Sequence, residues 1–136
     1  MIQPAMIQIS QLHKSYGSNH VLKNVSLDVA LSQVVVVIGP SGSGKSTLLR
    51  CCNGLELAQL GTVDICGQRL ITDGVILPEK ELNKLRTQVG MVFQSFNRFP
   101  HLHVLDNIAV GPITLRGLNA PQAEGLFTGS WVKVGL

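Results

Sequence analysis

The chain of 136 residues carries 11 Lys and Arg against 8 Asp and Glu, a net charge of +3, with 45% apolar residues. That length suffices for one domain and that composition excludes a disordered chain; no apolar run approaches the ~20 residues that cross a bilayer. The basic residues are scattered from Lys14 to Lys133 without a stripe or arm, which gives nucleic-acid binding no support. The first eleven residues lack the basic-then-apolar layout of a secretory signal. The three cysteines are Cys51, Cys52 and Cys66. An odd count with two adjacent makes neither a disulfide framework nor a metal-ligand spacing, and reads as buried thiols in a reducing compartment.

In chain order, residues 6–12 alternate as a first strand, and a turn follows at Ser15-Tyr16-Gly17-Ser18-Asn19. From Val21 to Leu31 the alternation puts Val21, Lys23, Val25, Leu27, Val29 and Leu31 on one side, all apolar except Lys23. That is the pattern of an antiparallel strand with one solvated face. Residues 34–38 are Val-Val-Val-Val-Ile, a short unbroken apolar run that predicts a strand buried on both faces of a parallel sheet. A helix follows, and Asn53-Gly54 predicts its end. Residues 61–67 predict a short strand between glycines, and 68–72 another, closed by the Asp73-Gly74 turn. Pro78 with Glu79 and Glu81 predicts a helix running to about Arg86. Residues 89–93 predict a second buried strand, ending at Gln94. Residues 95–103 predict an aromatic loop and 104–110 a helix. Asn119-Ala120-Pro121 predicts a cap for one more helix, which Gly125 and Gly129 weaken.

Between the 34–38 strand and its helix lies Gly39-Pro40-Ser41-Gly42-Ser43-Gly44-Lys45-Ser46-Thr47. This is G-x-x-x-x-G-K-[ST] in the strand-loop-helix context that a phosphate-binding loop requires. A triphosphate is a dense anion, so the backbone must aim N–H groups inward, and Gly39, Gly42 and Gly44 permit that approach. The helix start adds free N–H groups and the positive end of its dipole. Lys45 is expected to reach the β- and γ-phosphates, Ser46 to coordinate Mg²⁺, and Thr47 to donate to the α-phosphate.

Several segments together are similar to one family. Tyr16-Gly17, Lys23-Asn24-Val25-Ser26-Leu27, GPSGSGKSTLLRCCNGLE, Gly61-Thr62-Val63, and Arg86 followed by VGMVFQSFN and Phe99-Pro100-His101-Leu102 resemble the ATP-binding cassette ATPases of membrane transporters. The likeness is strongest to ATP-binding subunits of bacterial polar amino-acid uptake systems, and it runs collinearly from residue 6 to about residue 116. The resemblance implies an α/β fold: a P-loop NTPase core with an N-terminal antiparallel β subdomain, truncated before the second catalytic half. It implies a single, incomplete ATP-binding domain over 1–136, with a helical subdomain beginning in 95–118. Tyr16 matches the aromatic residue that stacks on adenine. Gln94 matches the glutamine that touches Mg²⁺ and the attacking water. Phe96, Phe99, His101 and His103 match residues of the helical subdomain core or of its contact with a permease. ATP and Mg²⁺ are the implied cofactors. The implied partners are an integral membrane permease and a second ATP-binding subunit closing over the nucleotide. The implied place is the cytoplasmic face of the inner membrane, peripherally bound.

The sequence also departs from the family pattern. Ser32-Gln33 stands where a Gly-Glu type turn is usual, Arg98 replaces a common apolar residue, and residues 123–131 fit the family helix poorly. None of the eight acidic residues makes an Asp-Glu pair after an apolar strand, so the group that polarises the attacking water is missing. There is no Gly-Gly pair and hence no LSGGQ motif. Two readings stay open: the ATP-binding subunit of an amino-acid import system, and a non-catalytic fragment that binds nucleotide or permease without turnover. A non-transport P-loop NTPase is disfavoured by the context of Gln94.

Overall fold

A computed structural model describes residues 5–95 and 97–134. Phe96 and the chain end at 135–136 lie outside the described residues. The chain divides after Met91 into two compact units.

The first unit is built on five antiparallel strands in the order β2-β1-β3-β4-β5. They are β1 (Ala5–Tyr16), β2 (Asn19–Ala30), β3 (Leu60–Ile65), β4 (Gln68–Thr72) and β5 (Val75–Ile76). β1 lies between β2 and β3 and is twelve residues long, longer than its alternation predicts. The reason is a bulge. Gln11 takes φ 48°, and the register slips between Ile9 and Leu12 against β2. One extra residue in a strand moves every later side chain to the other face. Ile9 is buried before the bulge; Leu12 and Lys14 are buried after it. The Ser26 hydroxyl accepts the Gln11 N–H at 2.9 Å. Gly61 accommodates the bulge from β3: a Cβ there would lie 2.3 Å from the Gln11 carbonyl oxygen.

β2 shows the matching correction. The sequence places Lys23 in the apolar row. In the structure Asn24 takes φ 54°, Lys23 is exposed, and Leu22 is the buried residue at that end of the strand. β3 and β4 form the expected pair, with an Asp64–Arg69 ion pair of 2.6 Å across them. Asp73 and Gly74 both have positive φ, the requirement of the tight hairpin turn that this dipeptide signals.

Helix α1 (Lys45–Cys52) and helix α2 (Glu79–Arg86) supply the other layer. The core joins Ile9, Leu12, Val63, Ile65, Leu70 and Ile71 from the sheet to Leu48 and Cys51 of α1 and Leu82 and Leu85 of α2. Eight-residue helices are marginal alone. Burial stabilises α2 by about 1.5–3 kcal/mol for each enclosed leucine. Its ends agree with its dipole: Glu79 and Glu81 lie in the first turn, Lys84 and Arg86 in the last. α1 ends as expected, at Asn53, and Gly54 takes φ 65°.

Two expected strands do not form. Residues 34–38 join no ladder among the described residues, and Val34, Val36 and Ile38 are 87%, 76% and 86% exposed. Residues 89–93 likewise have no strand pairing; Val92 is 98% exposed and Phe93 is exposed too. A parallel strand needs hydrogen-bonding neighbours and cover on both faces, and the described residues supply neither. The fold keeps its antiparallel subdomain and its loop-to-helix element; neither apolar run forms a strand among the described residues, although Val89 packs against the core.

The second unit holds α3 (Val104–Arg116) and α4 (Ala120–Val134), packed on each other. α3 outruns its predicted range and carries Pro112 inside it. Gly117 ends it in the left-handed conformation, donating to the Ile113 carbonyl at 3.1 Å. α4 forms despite its glycines. Asn119 Oδ1 accepts the Gln122 N–H at 3.0 Å and Gln122 Oε1 accepts the Asn119 N–H at 3.1 Å, a reciprocal capping box.

Candidate functional site

The loop 39–44 and the first turn of α1 make a cradle of donors. Lys45, the first residue of α1, folds back over the loop. Its ammonium donates to the carbonyls of Gly39 at 2.8 Å and Pro40 at 2.6 Å, and to Ser43 Oγ at 3.3 Å. The loop is tightened by the Ser43 N–H donating to the Pro40 carbonyl at 3.3 Å. Gly44 is required twice over. Its φ is 94°, and a Cβ there would lie 2.8 Å from Val21 Cγ1 and 3.2 Å from the Val21 carbonyl oxygen.

α1 has no side-chain cap, and among its first turn the Leu48 N–H closes back on the Gly44 carbonyl at 2.9 Å. The N–H groups of Lys45, Ser46 and Thr47 precede that bond and have no helical acceptor. They sit at the positive end of the helix dipole, beside an ammonium. Ser41, Gly42, Ser43 and Ser46 are exposed; Lys45 and Thr47 are half-buried. A donor set of this kind fits a polyphosphate.

Tyr16 closes β1 and keeps 45% of its surface exposed. Its hydroxyl titrates above the ordinary phenol range, first because of burial and then because of the Glu56 carboxylate, while Thr47 acts in the opposite direction. The ring end therefore faces the same helix that carries the cradle. Two residues that the sequence reading assigned no role complete this cluster. Lys14 is 7% exposed, the one charged residue buried among those described. Its ammonium pairs with Glu56 Oε1 at 2.6 Å, donates to the Leu57 carbonyl at 2.7 Å, and lies 4.7 Å from the centroid of the Tyr16 ring. Glu56 is held below the usual carboxylate range, chiefly by its hydrogen bond from Lys14. The signal was present in sequence as Lys14 and Tyr16 two apart. It was not legible because the alternation of residues 6–12 gives no reason to extend the strand to Tyr16.

Gln94 is exposed and lies in a bend of the second unit, not directly after a strand as expected. Phe99, His101 and His103 are exposed as well, which removes the core role from the two expected for them. Phe99 and His101 meet edge to face at 5.9 Å, and the Asn107 amide donates to the carbonyls of Phe99, Leu102 and His103. Among the described residues no group of three potential metal ligands occurs. The expectation of buried thiols holds for Cys51, weakens for the half-buried Cys52, and fails for Cys66, which is exposed in the turn after β3. Burial pushes the Cys51 thiol up to about 12 and the Cys52 thiol up to about 11.

Residues 22–133 match the family described as ABC transporter. The chain is 46% identical over 133 residues to the glutamate transport ATP-binding protein GluA of Corynebacterium glutamicum, covering 96% of this chain and 52% of that protein. It is 44% identical over 133 residues to the glutamine transport ATP-binding protein GlnQ of Escherichia coli, with the same coverages. In three dimensions it resembles a dimeric ATP-binding cassette solved in a post-hydrolysis state with ADP and Pi. The TM-score is 0.75 at 34% identity, over 88% of this chain and 55% of that one. The chain thus spans about half the length of the curated relatives it matches. No helix among the described residues is long and apolar enough to cross a membrane. Loop, helix and sheet agree with these likenesses, and the chain belongs to the ABC transporter family.

Proposed function

We propose that this chain is the nucleotide-binding part of an ATP-binding subunit that powers amino-acid import through a membrane permease. The observation that carries the proposal is the donor cradle. Lys45 is drawn into the loop by the Gly39 and Pro40 carbonyls, beside three helix-start N–H groups. In this reading Lys45 exchanges those carbonyls for the β- and γ-phosphates of ATP. Gly39, Pro40, Ser41, Gly42, Ser43 and Gly44 wrap the phosphates with backbone, and Thr47 donates to the α-phosphate. The Ser46 hydroxyl would hold Mg²⁺, and the family pattern assigns a further ligand to Gln94. Mg²⁺ supplies charge neutralisation between the phosphates, and hydrolysis belongs to the assembled transporter. Tyr16 offers its ring to the adenine. The segment 95–118 begins the helical subdomain that docks on the permease, at the cytoplasmic face of the membrane. A second ATP-binding subunit completes the nucleotide site.

A second reading is favoured by the exposure of 34–38, the run that leads into the loop. There the chain binds nucleotide, or the permease, without turning ATP over.

One experiment separates them: equilibrium binding and turnover of MgATP by the purified chain, with Lys45→Ala as control. Binding that Lys45→Ala abolishes supports the site. Lys45-dependent turnover favours the enzyme reading, and binding without turnover favours the second. A Lys45→Ala variant that binds as tightly as the parent overturns the site altogether.

A further inference from the structure

Lys14 stands out because burying an ammonium is costly unless every donor is matched. Here three partners match its three N–H groups in number: the Glu56 carboxylate at 2.6 Å, the Leu57 carbonyl at 2.7 Å, and the Tyr16 ring with its centroid at 4.7 Å. Glu56 and Leu57 lie just beyond the C-terminal end of α1, where the Leu55 N–H and the Glu56 N–H both donate to the Arg50 carbonyl, at 2.9 and 3.2 Å. The Lys14 ammonium is therefore tied by two short bonds to the chain leaving the phosphate-loop helix. Its remaining side meets the ring at the end of β1. Lys14 covers part of the ring, and the residue as a whole keeps 45% of its surface exposed.

We propose that Lys14 is a positioning residue for the nucleobase: it clamps one side of the Tyr16 ring and references that ring to the phosphate-loop helix through Glu56 and Leu57. The base then stacks on the side that Lys14 leaves open. A free tyrosine at a strand end has two rotatable bonds, and binding a base to it costs the ordering of that ring. Lys14 meets that cost before the base arrives. The inference rests on the reading of Tyr16 as the base-stacking ring.

The test compares the affinity of the whole chain for MgATP with its affinity for Mg²⁺-tripolyphosphate, which has no base. Lys14→Met alone leaves a lone carboxylate, so it is combined with Glu56→Gln. That pair of changes is expected to weaken MgATP about tenfold while tripolyphosphate shifts by less than about twofold. Lys14→Arg is expected to recover most of the loss, because a guanidinium also stacks on an aromatic face. On a Tyr16→Ala background the paired change is expected to have no further effect on MgATP. Equal weakening of both ligands overturns the proposal, because it marks a purely structural role. So does a loss that persists without the ring.

If Tyr16→Ala weakens MgATP and the paired change does not, this inference falls and the role of Tyr16 stands. If Tyr16→Ala leaves the ratio of the two affinities unchanged, both fall. A measurement on the unaltered chain guards against misfolded variants. The Lys14 ε-methylene protons are expected upfield from the ring current of Tyr16, and are expected to stay there when MgATP binds. Their return to the ordinary position on binding overturns the clamp.

Discussion

Glu56 and Tyr16 respond to pH in opposite directions, Glu56 because of Lys14 and Tyr16 first because of burial. Glu56 is held below the usual carboxylate range by Lys14, so its contribution is present above its unfolded value of 4.5 and is lost as pH falls through the lowered one. Tyr16 is held above the phenol range by burial and by Glu56, so its contribution is complete below the ordinary value and is lost as pH rises through the raised one. Tyr16 is the only tyrosine in the chain, and its ultraviolet titration can be read alone. Glu56→Gln is expected to bring that titration down toward the ordinary phenol value; an unchanged titration means that the two side chains do not communicate. The Cys51 and Cys52 thiols are pushed up by burial, whereas Cys66 is exposed. Because the thiolate is the nucleophile, a disulfide reagent at neutral pH is expected to label only Cys66 in the folded chain and all three cysteines in denaturant.

The element on which the site depends most is α1, eight residues long and uncapped at its start. Its far end is held from outside. Arg86, at the end of α2, donates to the carbonyls of Asn53 at 3.2 Å and Gly54 at 2.9 Å, where the negative end of the dipole lies. Arg86→Ala is expected to destabilise the first unit by about 1.5–3 kcal/mol, the scale of hydrogen bonds to a charged group. Arg86→Lys is expected to recover less than half of it, because a point charge cannot span two carbonyls as a planar fork does. The comparison is a shift in melting temperature, and equal stability of all three proteins would show that α1 needs no such tether.

For the molecule as a whole, the largest unbalanced quantity is the uncovered apolar surface of 34–38 and of Val92. Val34, Val36, Ile38 and Val92 each forgo about 1.5–3 kcal/mol that burial would return. Against a typical net stability of about 5–15 kcal/mol that is a serious deficit. The isolated chain is expected to melt below ~45 °C, under the usual range for domains of ordinary organisms, and to bind a dye that reports exposed apolar surface. Saturating MgATP is expected to raise the transition, since it binds only the folded loop. A cooperative transition above ~65 °C without dye binding would mean that these runs are covered in solution.

The chemistry of the cradle was legible in sequence alone, because a phosphate loop is local. Gly39, Gly44, Lys45 and the helix they introduce are consecutive, so spacing dictates geometry before any tertiary contact forms. The same holds for the Asn53-Gly54 helix end, the Asp73-Gly74 turn and the Pro78 helix start. What the sequence could not determine were features set by distant parts of the chain. Residues 34–38 and 89–93 have the composition of buried strands, but a strand exists only with a partner to bond, and composition does not name one. The bulge at Gln11 depends on Ser26 of β2 and on Gly61 of β3. It decides which face Lys14 takes, and with it the meeting of Lys14, Tyr16 and Glu56 across 42 residues of sequence, from position 14 to position 56. Local chemistry dictated the loop and the helix it introduces; the register of one strand decided how the Tyr16 ring is held.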